Sequence, residues 1–264
     1  DGYLLGGTVS FAGAVVRALD LSLGVVSSAD AEGRALATRQ LPDTDFRWVE
    51  SAESTIYQNI YTPEGRVQYC LALADPLTVH DIPEPWLAAP IVHLGPLTGE
   101  ISPDLVHHLG SGSLVGVTPQ GWLRKRLPDG LIQPQEWEGY ETVLRRADVL
   151  IFSEHDPNSD EECQRYLDAA KLAVVTRGDR GADIYSAGTI THVPTYPTNE
   201  IDPTGAGDGF CGAFLVEYRR TGSAVDACRF ASAAASLLIE GLGVEGAASA
   251  DRIRARMAGP TREQ

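Results

Sequence analysis

Short apolar runs separated by longer helical intervals restrict this chain to a small set of folds. The runs lie at residues 23–28, 91–94, 114–118, 148–152 and 172–176. Runs of this length without strict alternation are typical of strands that are buried on both faces. Strands that alternate with helices pair mainly in parallel, because each helix returns the chain to the same end of the sheet. The sequence therefore predicts an α/β fold with a mainly parallel central sheet.

Composition narrows the class of protein and its partners. The chain has 264 residues, enough for one large α/β domain or two small ones, and a net charge of −15. A strongly acidic chain is a poor partner for nucleic acid or an anionic membrane, because both attract cationic surfaces. The four cysteines include no Cys-x-x-Cys pair, which favours reduced thiols and a cytoplasmic location. No apolar run reaches membrane-spanning length, and no signal peptide is expected.

A β-hairpin is predicted in the first third of the chain. Residues 55–61 and 66–71 alternate in part and are rich in β-forming residues, and a turn with Pro63 and Gly65 separates them. These strands are either ordinary edge strands or a small lid over a ligand site.

The segment from Asp202 to Asp208, which reads Asp-Pro-Thr-Gly-Ala-Gly-Asp, carries the strongest chemical signal. Pro203 keeps the chain extended, the glycines allow unusual backbone angles, and helical spacing begins after Asp208. Such a turn points unpaired N–H groups at one position, which suits a phosphate. Asp208 is either a helix cap or a base that takes a proton from an attacking hydroxyl.

The segment 202–208 resembles the C-terminal signature of the PfkB (ribokinase-like) carbohydrate kinases. This resemblance implies that Asp208 is the catalytic base and that the amides of Gly205, Ala206 and Gly207 bind the transferring phosphoryl group. It also implies a ribokinase-like three-layer α/β/α sandwich formed by a single domain, 1–264. Its small β lid is expected to come from about residues 1–8 and 44–72.

The acceptor site is also assigned by resemblance. Gly6 and Gly7, followed by Ser10 and Phe11, are similar to the myo-inositol kinase branch of the family. Family members usually carry a strand with an Asp before this point, so either Asp1 has that role or residues are missing from the sequence. The predicted acceptor-binding residues are Asp1, Gly6, Gly7, Asn59, Gln120, Arg124 and Asp208.

The same resemblance implies a site for ATP and Mg²⁺, with a monovalent cation as a further candidate. The nucleotide-binding residues predicted from it are Thr176, Arg177, Gly178, Gly181, Thr204, Gly205, Gly207 and Ala235. Ser153 and Asp156 stand where the family has an Asn-x-x-Glu motif that helps to organise Mg²⁺, and Glu154 lies between them. The predicted metal ligands are Asp156 and Glu154, and the shorter Asp suits a hydrated ion. Asp156 and Ser153 are alternatively helix caps, and Ala235 is alternatively a packing residue.

The sequence predicts a phosphotransferase that moves a phosphoryl group from ATP to a hydroxyl of a sugar or cyclitol. Two alternatives stay open: a nucleoside kinase of the same family, and a homologue that binds nucleotide or sugar without catalysis. A homodimer formed through the lid is left open as well, because an exposed lid edge is either charged or paired.

Overall fold

The fold is described from a computed structural model that covers residues 4–62 and 65–262. Its helices are α1 (Gly7–Ala18), α2 (Ala31–Gln40), α3 (Tyr140–Arg146), α4 (Asp160–Ala169), α5 (Ala206–Thr221), α6 (Ala224–Leu238) and α7 (Ala250–Met257). Its strands are β1 (Gly24–Ala29), β2 (Asp45–Glu50), β3 (Ile56–Thr62), β4 (Gly65–Ala72), β5 (Ile91–Leu94), β6 (Leu114–Val117), β7 (Arg124–Arg126), β8 (Ile132–Pro134), β9 (Val149–Ser153), β10 (Leu172–Thr176), β11 (Ala182–Ser186) and β12 (Thr189–Val193).

The central sheet has six strands in the order β12-β11-β10-β9-β6-β5. The four strands β5, β6, β9 and β10 are parallel, whereas β11 and β12 continue the sheet antiparallel. The parallel strands end at one edge of the sheet, where open α/β folds bind their ligands. The predicted mainly parallel sheet is therefore confirmed.

Both faces of the sheet are covered by helices. Along β9, Val149 and Ile151 pack with α1, α5 and α6, while Leu150 and Phe152 pack with α3 and α4 on the opposite face. This alternation within a continuously apolar strand follows from the two-residue period of β structure. The predicted three-layer α/β/α sandwich is confirmed.

Two parts of the predicted layout are wrong. Residues 23–28 form β1, but β1 pairs in parallel with β2 in a separate two-stranded sheet and does not join the central one. The prediction of a lid strand at residues 1–8 fails in its described part, because residues 4–6 are irregular and α1 begins at Gly7. Residues 1–3 lie outside the described residues. The lid segment 44–72 is also too broad, since β2 belongs with β1.

The predicted hairpin is present as β3 and β4, and it is extended by a second hairpin that the sequence did not indicate. Strands β7 and β8 lie beside β4, where Cys70 N donates to Gly130 O at 2.8 Å. Arg126 Nε donates to Cys70 O, also at 2.8 Å. We call β3, β4, β7 and β8 together the lid. Across the described residues, no helix is long and apolar enough to span a membrane.

Candidate active site

The first turn of α5 provides unpaired backbone donors. Gly205 precedes the helix with φ 79°, and a Cβ there would lie 2.0 Å from the Phe11 ring, so only glycine fits. Ala206 N donates to Pro203 O at 3.3 Å. Within the described chain, the N–H groups of Gly207 and Asp208 have no acceptor, as expected for a first helical turn. An anion placed here would meet these N–H groups and the positive end of the helix dipole.

Gly207 keeps this anion position open. It is exposed, and a Cβ built on it would meet no atom within 4 Å. The space beside the unpaired amides is therefore large enough for a ligand group.

Hydrogen bonds of the Asp202 side chain hold the segment that leads into this helical turn. The Asp202 carboxylate accepts from Thr204 N at 3.0 Å and from Gly243 N at 3.2 Å. These bonds lower the pKa of Asp202 against the opposing effect of burial, so the residue stays ionised. Asp202 thus connects the turn to the loop after α6. Thr204, predicted to bind nucleotide, has its N–H occupied by this contact.

Asp208 lies in the same first turn with an unusually basic carboxylate. Burial raises its pKa to about 6, against the lowering effects of a Thr8 hydrogen bond and the Arg124 charge, while the Asp156 charge raises it further. Thr8 Oγ1 donates to Asp208 Oδ1 at 2.9 Å. A carboxylate with such a pKa is ionised at neutral pH and is still a useful proton acceptor.

A cleft of about 520 Å³ lies between the lid and the ends of the central strands. Its lining residues are Val67, Gln68, Gln120, Leu123, Arg124, Ile132, Pro134, Ser153, His155 and Asp156. The charges of Arg124 and Asp156 also act on the carboxylate of Asp208, although Asp208 itself is not one of the lining residues. The structure thus brings the predicted residues Gln120, Arg124 and Asp156 together.

The lid is attached to the body of the protein through Tyr57. Its hydroxyl donates to Leu97 O at 2.8 Å, and the Arg124 guanidinium lies 5.9 Å from the centre of its ring. Burial raises the pKa of Tyr57 to about 12, so the hydroxyl remains a donor. Arg124, the first residue of β7, therefore lies near β3 within the lid while it lines the cleft.

Asn59, predicted to bind the acceptor, is exposed and does not line the cleft. Its Oδ1 accepts from Gln68 Nε2 at 2.7 Å, and Gln68 is the lining residue. Asn59 therefore orients a neighbour on the adjacent strand. Asp1 lies outside the described residues.

The glycine pair lies next to the base because Thr8 follows it directly. Gly6 is exposed with no atom within 4 Å of a built Cβ, which leaves room for a ligand. Gly7 has φ 75°, and a Cβ there would lie 2.6 Å from Leu97 Cδ1, so a side chain is disfavoured. Neither glycine lines the cleft, so the role of both at an acceptor site stays a prediction.

The predicted nucleotide edge lies at the ends of β10 and β11. Gly178 has φ 58° and open space around it, whereas a Cβ on Gly181 would lie 2.2 Å from Val193 O. Thr176 Oγ1 donates weakly to Phe152 O at 3.4 Å. Ala235, in α6, is only partly buried and packs against the core.

Arg177 does not present a bare positive charge here. Its Nε donates to Asp183 Oδ2 at 2.6 Å and its Nη1 to Glu154 Oε2 at 2.7 Å. His192 Nδ1 lies 2.7 Å from the other Asp183 oxygen. The expected attraction of Arg177 for donor phosphates is therefore largely neutralised by its own carboxylate partners.

The two acidic residues predicted to bind a metal have different surroundings. Glu154 pairs with Arg177 and Arg180, and these arginines lower its pKa against burial, so its oxygens are already used. Asp156 lines the cleft, and its Oδ2 accepts from Ser153 N at 2.7 Å. Of the two predicted metal ligands, Asp156 is the one that lines the cleft. The described residues contain no cluster of three His, Cys, Asp or Glu side chains suited to a metal.

His93 in β5 lies inside the protein with polar partners. Its Nε2 lies 2.9 Å from Thr118 Oγ1 and 3.4 Å from Cys211 Sγ. Burial lowers its pKa to about 4, so the ring is neutral at pH 7.

Sequence reasoning missed Thr8 and His155 as site residues. Thr8 could have been recognised as the first polar side chain after a glycine pair that opens a helix. His155, 85% exposed at the cleft, gave no sequence signal.

Comparison with known proteins agrees with this geometry. Residues 128–250 match the pfkB family of carbohydrate kinases. Cytidine kinase of Thermococcus kodakarensis is 25% identical over 229 residues, which are 75% of this chain and 78% of the relative. Inositol 3-kinase of Arabidopsis thaliana is 27% identical over 252 residues, which are 90% of this chain and 68% of the relative.

Solved structures share the fold. A pyrophosphate-dependent kinase of the ribokinase family, complexed with a pyrophosphate analogue and myo-inositol, superimposes with a TM-score of 0.81. It is 22% identical, and the match covers 95% of this chain and 91% of that chain. The chain therefore shares the fold of ribokinase-family structures, and its C-terminal part, which includes the motif at residues 202–208, is similar to the pfkB family of carbohydrate kinases.

Proposed function

We propose that this protein is a kinase that transfers a phosphoryl group from ATP to a hydroxyl of a sugar or cyclitol. The observation that carries this proposal is Asp208, a carboxylate of raised pKa in the same helical turn as unpaired amides, which interacts with the charges of two residues that line the cleft. A protein that only binds nucleotide or sugar has no need for a base in this position.

In the proposed reaction, the acceptor hydroxyl oxygen attacks the terminal phosphorus of the donor. A new O–P bond forms as the bond to the ADP oxygen breaks, and Asp208 takes the hydroxyl proton. The proposed donors to the developing negative charge are the amides of Gly207 and Asp208, whereas the amide of Ala206, also predicted for this role, already donates to Pro203 O. Preorganised donors of this kind lower the barrier. Arg124 adds a full positive charge on the cleft side.

The cleft accounts for the proposed class of acceptor. Its polar side chains, Gln68, Gln120 and Arg124, suit hydroxyl groups, while Leu123 and Ile132 form an apolar wall for the C–H face of a ring. A nucleoside also presents hydroxyls and a flat ring, so a nucleoside kinase is the second candidate, favoured by the likeness to cytidine kinase.

Asp156 is the residue we propose to hold Mg²⁺, through one carboxylate and water. The ion would neutralise donor phosphate charge when bound. The donor itself needs a test, because a similar structure belongs to a pyrophosphate-dependent kinase.

The test is a panel of acceptors with ATP or pyrophosphate as donor and Mg²⁺ present. We expect ADP formation with ATP and myo-inositol, fructose or ribose; faster turnover with cytidine would favour the nucleoside kinase. Pyrophosphate-dependent phosphate release would change the donor assignment. Binding without turnover across the panel would contradict the kinase and favour a sensor.

The base assignment predicts both a variant and a pH profile. Asp208→Asn should keep ligand binding and lower kcat by about 10²- to 10⁴-fold, because it removes the proton acceptor. With a pKa of about 6, Asp208 is protonated below that pH, so kcat/KM should fall as pH drops below 6 and level off above it.

Asp226→Asn is the matched control for that variant. Asp226 is the third residue of α6, as Asp208 is of α5, but it is exposed. Near wild-type kcat for Asp208→Asn, or a profile without an acidic limb, would contradict the assignment.

A cytoplasmic location and a dimer formed through the lid are further proposals. The free state of all four cysteines suits a reducing compartment. Light scattering of the purified protein decides the oligomeric state.

A further inference from the structure

Two helix N-termini meet at the base. Thr8 is the second residue of α1, Asp208 is the third residue of α5, and the two are 200 positions apart in the chain. The helices pack closely because small residues face each other: a Cβ on Gly212 would lie 3.0 Å from Ala12 O. Phe11 lies against Gly205 in the same interface. The position of α1 therefore determines the position of Thr8 relative to Asp208.

The orientation of the Thr8 side chain is fixed by packing. Its methyl group faces Gly95, where a built Cβ would lie 2.4 Å from Thr8 Cγ2. A β-branched side chain has few accessible χ1 rotamers. With the methyl held against Gly95, the hydroxyl points to Asp208 and donates to Oδ1 at 2.9 Å.

This hydrogen bond divides the roles of the two carboxylate oxygens. Oδ1 accepts from Thr8, so Oδ2 is the oxygen for an acceptor hydroxyl. We propose that Thr8 is a positioning residue for phosphoryl transfer, which holds the Asp208 carboxylate through Oδ1 so that Oδ2 faces the acceptor. This inference rests on the proposed kinase function, but the contact itself can be tested without turnover.

The charged and titratable groups around Asp208 determine how its pKa should change when the hydrogen bond from Thr8 is lost. Arg124 on β7 and Asp156 after β9 act on Asp208 with opposite charge, and Cys211 lies one turn further along α5. Burial raises the pKa of Cys211 well above its usual value and keeps His93 neutral, so neither adds charge at pH 7. Thr8 is the hydrogen-bond donor that favours ionised Asp208, and its loss should raise the pKa of that carboxyl.

The experiment compares Thr8→Val, which keeps the shape and removes the donor, with Thr8→Ser, which keeps the donor. Thr38→Val is the control, because Thr38 is an exposed α2 residue whose hydroxyl donates only to Arg34 O. The first readout is the titration of the Asp208 carboxyl carbon by ¹³C NMR in the free enzyme, assigned by its absence in Asp208→Asn. We expect an upward shift of about one pH unit in Thr8→Val and a value close to wild type in Thr8→Ser.

The second readout is kinetic, with the acceptor that the panel identifies. Thr8→Val should lower kcat about tenfold, leave the acceptor KM within about twofold and move the acidic limb upward, while Thr8→Ser restores most of kcat. An unchanged Asp208 titration in Thr8→Val would overturn the proposal, as would a Thr8→Ser variant as slow as Thr8→Val. A wild-type protein without turnover would contradict the kinase function, while the NMR titration would still decide whether Thr8 acts on Asp208.

Discussion

Two glycines at the start of α5 have different physical roles, although both belong to one motif. Gly205 needs its positive φ and its closeness to Phe11, so it is required by the fold. Gly207 has no steric reason to be glycine, and in a helix glycine is less stable than alanine by about 1 kcal/mol. The proposed function supplies a reason for glycine here, because a methyl group would enter the space beside the unpaired amides, where the donor phosphate is proposed to bind.

This difference predicts opposite outcomes for two alanine substitutions. Gly207→Ala should keep or slightly raise the melting temperature while it raises the donor KM or lowers kcat by at least about tenfold, because the methyl displaces a phosphate oxygen. Gly205→Ala should lose stability and activity together, because both its φ and its contact with Phe11 are violated. Thermal unfolding and steady-state kinetics measure both. A fully active Gly207→Ala would contradict the placement of the donor phosphate.

For individual residues, the sequence indicated chemically active side chains more readily than the contacts those side chains make. Asp208 was identified because its motif is contiguous and its chemistry is local. Glu154 was assigned to a metal because it lies within a stretch that resembles a family motif, but both of its arginine partners, Arg177 and Arg180, lie in the turn after β10. Thr8 was missed because its partner is 200 residues away. Contacts between distant segments depend on packing, which a single sequence does not specify.

Among the secondary-structure elements, the lid hairpin β7–β8 has the strongest influence on the site. It begins at Arg124, a cleft residue, and is bonded to β4 through Cys70. Movement of the lid would therefore move Arg124, whose charge acts on Asp208. The sequence did not reveal this hairpin, because its strands have three residues each and Arg124, Lys125 and Arg126 resemble surface charge. The predicted β3–β4 hairpin was recoverable, since its strands are longer and its turn is local.

Arg126 tests this coupling. Arg126→Met keeps the aliphatic stem but removes the donor to Cys70 O, so β7 should be held less firmly against β4. We expect the acceptor KM to rise about three- to tenfold, with little change in melting temperature, and amide exchange to become faster in β4 and β8 together. Lys125→Met, at the exposed neighbouring position, is the control. Faster exchange in β8 alone would contradict a lid that moves as one unit.

At the scale of the whole molecule, the proposed catalysis depends on how α5 packs against the central sheet. Helix α5 carries Asp208 in its first turn, and its side chain Leu215 packs directly onto Gly116 in β6. The glycine lets the helix approach closely, because a Cβ at this position would lie 2.4 Å from Leu215 Cδ2. The alternation of strands and helices predicted the layers, but not this point of closest approach.

Gly116→Ala should therefore reduce both stability and turnover. The added methyl overpacks a fully buried contact, so we expect the free energy of unfolding to fall by about 1–3 kcal/mol, measured by urea denaturation. Displacement of α5 should also lower kcat at temperatures where the variant is folded, because Asp208 moves with its helix. Gly112→Ala is the control: Gly112 is exposed, with no atom within 4 Å of a built Cβ, and should change stability by less than about 0.5 kcal/mol. Lower stability with unchanged kcat would contradict this prediction. It would show that Leu215 accommodates the methyl group by changing rotamer and that the position of Asp208 does not depend on this contact.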